Sequence, residues 1–292
     1  MDGHALPLSY HARLVGDVAR MAAYELALRR LVRPGDVVLD LGCGTGILGM
    51  LAARRGARVH AIESMNVAGL AEALAAHNRV EVTVHHADAR TLPPVERVDL
   101  VVSEFMGCFL VDDAMLDAVV AAGRWMKPGA RFCPRRVRLY VAPVGDFALP
   151  SVDVWPEGFY GLDLSPAMGS ALHETLPGNL PASALLAPPA LYYTYDPPAE
   201  PTPFDAQLSF RFARGGRLRA LAGWFEAELA DGVTLSTAPG HETHWGQYLF
   251  PLPPCDVAAG GALAIRLHLD EIWHWEGAID GAPFALCATL PK

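Results

Sequence analysis

The stretch Asp36 to Ala53, D-V-V-L-D-L-G-C-G-T-G-I-L-G-M-L-A-A, runs from apolar Val37–Leu41 into glycines at 42, 44 and 46 and on into a second apolar run. The first run has the content of a buried parallel strand and the second that of a helix, which predicts a strand, a tight turn and a helix. Glycines are needed in such a turn so that backbone can bend sharply and approach a ligand at the helix N-terminus. A bare G-x-G is a weak signal, because dinucleotide sites use the related G-x-G-x-x-G. Here the third glycine comes one residue early. A second strand, Arg58 to Ile62, ends in Glu63, about twenty residues past the loop, where a carboxylate accepts both hydroxyls of a ribose and repels a phosphate. A helix over Val67–His77 and a strand over Val80–His85 continue the α/β alternation up to H-A-D-A-R, which contains Asp88.

Working outward, Val98 to Leu116 reads V-D-L-V-V-S-E-F-M-G-C-F-L-V-D-D-A-M-L. Leu100-Val101-Val102 predicts another buried strand, ending abruptly in Ser103-Glu104. The chain then turns through Met106-Gly107 to Asp112-Asp113, which open a helix reaching about Trp125. Acids at a helix start are explained by capping and the helix dipole, worth ~1 kcal/mol. Glu104 has no such explanation and needs a partner. Two carboxylates facing each other across this turn suit a planar cation with several donors, and guanidinium is the obvious one.

Near the N-terminus, Tyr10 to Leu31 has helical spacing of Leu14, Val18, Met21 and Leu28, which predicts one helix with Asp17, Arg20 and Tyr24 on a shared face. After Gly145–Pro150 the α/β alternation stops. Short alternating strands such as 207–212 and 263–269 follow, separated by Gly215-Gly216, Asp231-Gly232, Gly260-Gly261 and Asp280-Gly281, all read as hairpin turns. The second half is therefore an antiparallel barrel or sandwich. Between Pro177 and Pro203 lie eight of the 24 prolines, too many for a continuous helix. The predicted division is 1–145 for a Rossmann-like domain with its N-terminal helix and 146–292 for a β-barrel-like domain with a proline-rich arm at about 165–203.

Composition bounds the partners. The 292-residue chain is 52% hydrophobic and carries a formal charge of -9, which supports a large core, disfavours nonspecific nucleic-acid binding and mildly favours cationic substrates. The five cysteines are scattered without C-x-x-C or a cysteine-histidine spacing, so no metal site is expected. No run approaches the ~18 apolar residues of a membrane span, and the start has no secretory pattern, so the expected location is cytoplasmic.

The string D-x-G-x-G-x-G at 40–46 resembles the first motif of class I S-adenosylmethionine-dependent methyltransferases. The run S-E-F-M-G-C-F-L-V-D-D-A-M-L is similar to the double-acid loop of the protein arginine methyltransferases. Glu104 falls on the first family glutamate; Asp113 falls on the second, one methylene or ~1.5 Å shorter. His11, Asp17, Arg20 and Tyr24 fall on the family's N-terminal helix pattern, and Thr243-His244-Trp245 on its T-H-W loop. The resemblance implies S-adenosyl-L-methionine as cofactor, held by His11, Arg20, Asp40, Gly42, Gly44, Gly46, Glu63 and Asp88. In it Asp40 walls the site, Glu63 takes the ribose and Asp88 the adenine amino group. It implies Glu104 and Asp113 as the acceptor clamp, His244 paired with Asp17 to help the proton leave, Met106 and Trp245 as pocket walls, and an arm through which a homodimer forms.

The expected reaction is methyl transfer to a guanidino nitrogen. Only nine residues precede Tyr10, so the aromatic segment that family members place earlier is expected to be missing or displaced. With an Ala-, Leu-, Arg- and Pro-heavy composition, this points to a short bacterial member acting on free arginine or a small guanidino metabolite. The alternatives are a protein or peptide arginine, a small-molecule amine or hydroxyl acceptor, and a noncatalytic cofactor-binding partner protein.

Overall fold

The computed structural model describes residues 7–110 and 113–290. The chain divides into two compact units, the first made of 1–137, 195–201 and 226–236, the second of 138–194, 202–225 and 237–292.

The first unit begins with α1 (Leu8–Gly16) and α2 (Val18–Leu31). The single helix predicted over 10–31 is broken at Asp17, whose backbone is extended (φ -73°, ψ 98°). The physical reason is capping, since the Asp17 carboxylate accepts the Arg20 amide at 2.9 Å and starts a new helix. There follow β1 (Val37–Leu41), α3 (Ile47–Ala53), β2 (Arg58–Glu63), α4 (Ala68–His77), β3 (Thr83–His86), β4 (Val98–Ser103), α5 (Asp113–Ala122) and β5 (Met126–Cys133). All five residues of β1 are buried, as expected of a central parallel strand covered on both faces. The sheet order is β3-β2-β1-β4-β5, and each neighbouring pair runs parallel. The chain thus winds from β1 to β3 in one direction and resumes with β4 on the other side of β1. That reversal opens a crevice at the carboxyl ends of β1 and β4, where doubly wound sheets hold their ligands. Lys127-Pro128-Gly129 lies inside β5 at a register irregularity.

The second half contains β6 (Arg136–Gly145), α6 (Pro150–Glu157), α7 (Met168–Ala171), β7 (Leu176–Gly178), β8 (Ala190–Tyr195), β9 (Asp205–Arg211), β10 (Gly216–Ala230), β11 (Val233–Ser236), β12 (Gln247–Val257), β13 (Ala262–Leu269), β14 (Ile272–Ile279) and β15 (Ala282–Thr289). The sequence gives no cue for α6, a helix opened by Pro150 and anchored by buried Val152. One sheet has the order β7-β12-β10-β6-β8 with β11 paired to β10; the other is β15-β14-β13-β9. Its inner residues Leu263, Ile265, Leu267, Trp273 and Trp275 are buried, and Trp275 Nε1 donates to Pro251 O at 2.8 Å across the sandwich.

Of the four turns read as hairpins, Asp231-Gly232 and Asp280-Gly281 join strands that pair with each other. Gly215-Gly216 and Gly260-Gly261 instead lead from one sheet to the other, because β9 and β13 belong to one sheet and β10 and β12 to the other. A turn dipeptide fixes a local bend; it does not fix which strand the chain meets next. The architecture is a parallel Rossmann-like sheet followed by an antiparallel β-rich half.

Candidate active site

At the end of β1 the chain enters the left-handed region at Gly42, Gly44 and Gly46, with φ of +64°, +54° and +74°. A Cβ on Gly46 would meet that of Ala71 at 3.1 Å, so both conformation and close approach call for glycine. The loop amides then start α3. The Gly44 amide donates to Glu63 Oε2 and the Met65 amide to Glu63 Oε1, each at 2.9 Å. Glu63 is thereby fixed at the end of β2 with one lone pair of each oxygen used, and a carboxylate oxygen has a second with which to accept a hydroxyl. His11 lies over the loop, its Nδ1 3.4 Å from where a Gly44 Cβ would stand. Its Nε2 is buried with no hydrogen-bond partner among the described residues. A positive-φ glycine turn, a pre-oriented diol acceptor and an unspent ring nitrogen fit an adenosyl cofactor.

Asp40 sits behind this loop rather than open to it. It is 1% exposed, and Oδ2 accepts the Gly49 amide at 2.7 Å, tying β1 to the first turns of α3. Burial, with Glu63's charge adding to it, pushes its carboxyl up to about 7. Asp88 follows β3, one strand further out. Arg90 takes both its oxygens at 2.7–3.0 Å, and this ion pair holds the Asp88 carboxyl low. The adenine role expected of Asp88 would compete with that pairing.

Glu104 follows β4, across the crevice from the glycine loop. Its side chain is 12% exposed, and Arg20 Nη2 lies 3.4 Å from Oε2, a long contact for an ion pair. Burial raises the Glu104 carboxyl above its ordinary range, opposed by Arg20 and by the Met106 amide. A cation brought to this carboxylate would offset the burial. Arg20 is held by Leu14 O at 3.2 Å and by the Tyr24 ring 5.6 Å away, and its Nε is buried without a hydrogen-bond partner among the described residues. It faces Glu104 here, where the resemblance implied a contact to the cofactor.

Residues to which the sequence reading gave no role complete this corner. Tyr24 donates to Ser103 O at 3.0 Å and Ser103 Oγ to Leu41 O at 2.8 Å, which locks the ends of β4 and β1 together. Tyr10 feels burial and the Glu104 charge, which raise its phenol. Ser103 stood beside Glu104 in the quoted stretch, but nothing local marked its hydroxyl as a clamp. Met106 is fully buried. Asp112 and the side chain of Asp113 lie outside the described residues, although α5 begins at Asp113.

In the second unit, the His244 and Trp245 rings are 3.9 Å apart, and Trp245 packs edge-on to Phe225 at 5.1 Å. The loop that carries them is pinned by buried Gln247, which accepts from the Leu180 amide at 2.7 Å and donates to Thr237 O at 2.8 Å.

Two family models match the chain, "Methyltransferase domain" over residues 38–129 and "Arginine methyltransferase oligomerization subdomain" over 135–274. It is 34% identical over 267 residues to protein arginine N-methyltransferase 6 of Xenopus tropicalis, covering 84% of this chain and 78% of that one. The chain belongs to the protein arginine methyltransferase family. A probable histone-arginine methyltransferase CARM1 of Oryza sativa subsp. indica is 33% identical over 290 residues, 90% of this chain and 54% of that protein. Among solved structures, the Trypanosoma brucei PRMT1 enzyme-prozyme heterotetrameric complex with AdoHcy superposes with a TM-score of 0.89 at 24% identity, covering 97% and 98% of the two chains. Arabidopsis thaliana protein arginine methyltransferase 10 superposes at 0.83 with 23% identity and 98% coverage of both chains. At that identity the structures establish the fold.

The cofactor of this arginine methyltransferase is S-adenosylmethionine. The relatives named here are eukaryotic, and a bacterial source finds no support in them. No helix among the described residues is long and apolar enough to cross a membrane.

Proposed function

We propose that this family member methylates a guanidino nitrogen of arginine within a protein or peptide. The observation that carries the guanidino assignment is Glu104, a largely buried carboxylate at the sheet's reversal point that Arg20 approaches only to a long 3.4 Å. The relatives' names support peptidyl arginine over the free arginine favoured by composition. S-adenosylmethionine supplies an electrophilic methyl. Glu63 would hold the ribose, the 42–46 loop and His11 the rest of the adenosyl group, and Asp40 would brace the loop through Gly49. Asp88 would take the adenine amino group, at the cost of loosening Arg90.

Guanidinium is protonated and delocalised at neutral pH, so positioning does most of the work. Glu104 would bind two N–H groups and draw charge to one side of the guanidinium, leaving the opposite nitrogen more nucleophilic. Asp113 would orient that nitrogen, and Met106 and Trp245 would wall the acceptor. His244, assisted by Asp17, would accept the departing proton. The halves 1–145 and 146–292 would serve cofactor and acceptor respectively. A homodimer would form through the arm region, just before which Phe159, Tyr160 and Leu162 are 62%, 91% and 65% exposed. Free cysteines at all five positions suit a reducing, cytoplasmic setting.

Competition between an arginine-rich peptide, free arginine and small guanidino metabolites, with labelled cofactor and mass-spectrometric readout, tests this reading. The expected result is a higher kcat/KM for the peptide. A higher value for free arginine would return the acceptor to the small-molecule class, and no methyl transfer to any of them would favour a noncatalytic partner protein.

A further inference from the structure

We propose that the hairpin joining β13 to β14 is a binding site for a divalent transition-metal ion, built from His268, Asp270 and His274. The two histidines are direct cross-strand partners, and their rings lie 4.7 Å apart and within 7° of parallel. Asp270 opens the turn between them. Its Oδ1 accepts the Ile272 amide at 3.0 Å, which fixes the carboxylate over the hairpin, and lies 3.4 Å from His274 Nε2. One ligand atom from each residue lies within 4.8 Å of the other two. A tetrahedral ion with bonds of ~2.0–2.1 Å needs its ligand atoms roughly 3.4 Å apart, and the imidazole rings would turn toward each other to reach it.

Parallel imidazoles cannot hydrogen-bond each other, because their lone pairs lie in the ring planes. His268 Nδ1 is in fact buried with no hydrogen-bond partner among the described residues. That is a cost an ion would remove. The surroundings favour a cation as well. Asp205 stands opposite His268 on β9, and Glu271 and Glu276 flank His274 in sequence. The nearby Arg266 is already paired with both Asp205 oxygens at 3.0 and 2.8 Å and lies 3.9 Å from Glu276. Two imidazoles and one carboxylate select zinc, cobalt, nickel or copper over calcium or magnesium, and three protein donors leave one position for water or an outside donor. The cysteine-histidine search of the sequence passed over this site because its spacing, H-x-D-x-x-x-H, contains no thiol.

The test uses the full chain stripped with a chelator, titrated with Zn2+ by calorimetry and with Co2+ by visible absorption. The expected result is one tight Zn2+ per chain and a cobalt d–d spectrum, with affinity falling at least tenfold in His268→Ala/His274→Ala and by less in Asp270→Asn. Far-UV circular dichroism and Tm in chelator, equal between wild type and variants, show that the hairpin changes leave the fold intact. Cys287→Ser removes the thiol in register with His274 and should bind as wild type does. No binding by wild type, or equal binding by the double histidine variant, overturns the proposal. So does loss of binding in Cys287→Ser alone.

Discussion

The carboxyl edge of the parallel sheet and the outer face of the four-stranded antiparallel sheet both gather ionisable side chains, by different routes. At the parallel edge every strand points its end the same way, so Asp40, Glu63 and Glu104 each sit within a few residues of a strand terminus. A motif read along the chain therefore finds them. On the antiparallel face Asp205, His268, His274 and Cys287 form one row only because the register of β9, β13, β14 and β15 aligns them. Chemistry on a parallel edge is written in consecutive residues, whereas chemistry on an antiparallel face is written in pairing.

Breaking the parallel edge should have the largest effect. Glu104→Gln keeps shape and removes charge, and kcat should fall by about a hundred- to a thousandfold, the scale seen when one buried electrostatic contact to a reacting group is lost. Cofactor affinity measured by calorimetry should stay within a few-fold. Unchanged turnover would show that this corner is not where the acceptor is held. Next, Glu63→Ala removes the carboxylate that spans the glycine loop and the following turn. The Kd for S-adenosylhomocysteine should rise about ten- to a hundredfold, in line with ~1.5–3 kcal/mol for hydrogen bonds to a charged group.

The antiparallel sheet is sharpened by Gly277→Ala, since a Cβ there would stand 2.0 Å from Ala264 O on the paired strand. The expected cost is ~1–3 kcal/mol in urea unfolding, with S-adenosylhomocysteine affinity unchanged. If the variant is as stable as wild type, β13 and β14 are not held in that register. A further test is a slope with pH. Without cofactor, folded Asp40 keeps its proton up to about 7, while the unfolded carboxyl loses it near its ordinary value of 3.8. The folded state thus binds more protons between those values, and stability falls as pH rises through that window, by at most ~1.4 kcal/mol per pH unit. Asp40→Asn should flatten this dependence in denaturant titrations from about pH 5 to pH 8. A wild-type slope equal to the variant's would mean that Asp40 ionises normally.

Legibility in the sequence followed the same division. The glycine loop, Glu63 and Glu104 were visible because residue type, strand end and spacing coincide. The break at Asp17 was not, because a capping aspartate and an aspartate on a helical face look alike until the backbone turns. Ser103 and Tyr24 were invisible as a clamp because their partners, Leu41 O and Ser103 O, are backbone atoms distant in sequence. The two sheet-crossing turns read as hairpins for a related reason, since Gly-Gly states how the chain bends and nothing about its next neighbour.

The first compact unit is not a contiguous run of chain. After 137 it takes back 195–201 and 226–236, and those returning pieces are used: Arg135 pairs with Glu228 at 2.6 Å and with Asp231, Arg136 with both oxygens of Asp196, and Arg30 donates to Asp231 O. An open reading frame stopped at 145 would therefore encode the glycine loop and Glu104 yet leave three arginines facing missing partners. Exon shuffling or a designed fusion that moves only the N-terminal half would transplant the cofactor motif without its supports. For this architecture the heritable module is the whole chain, and a graft must carry the distal β10–β11 hairpin to carry the methyltransferase.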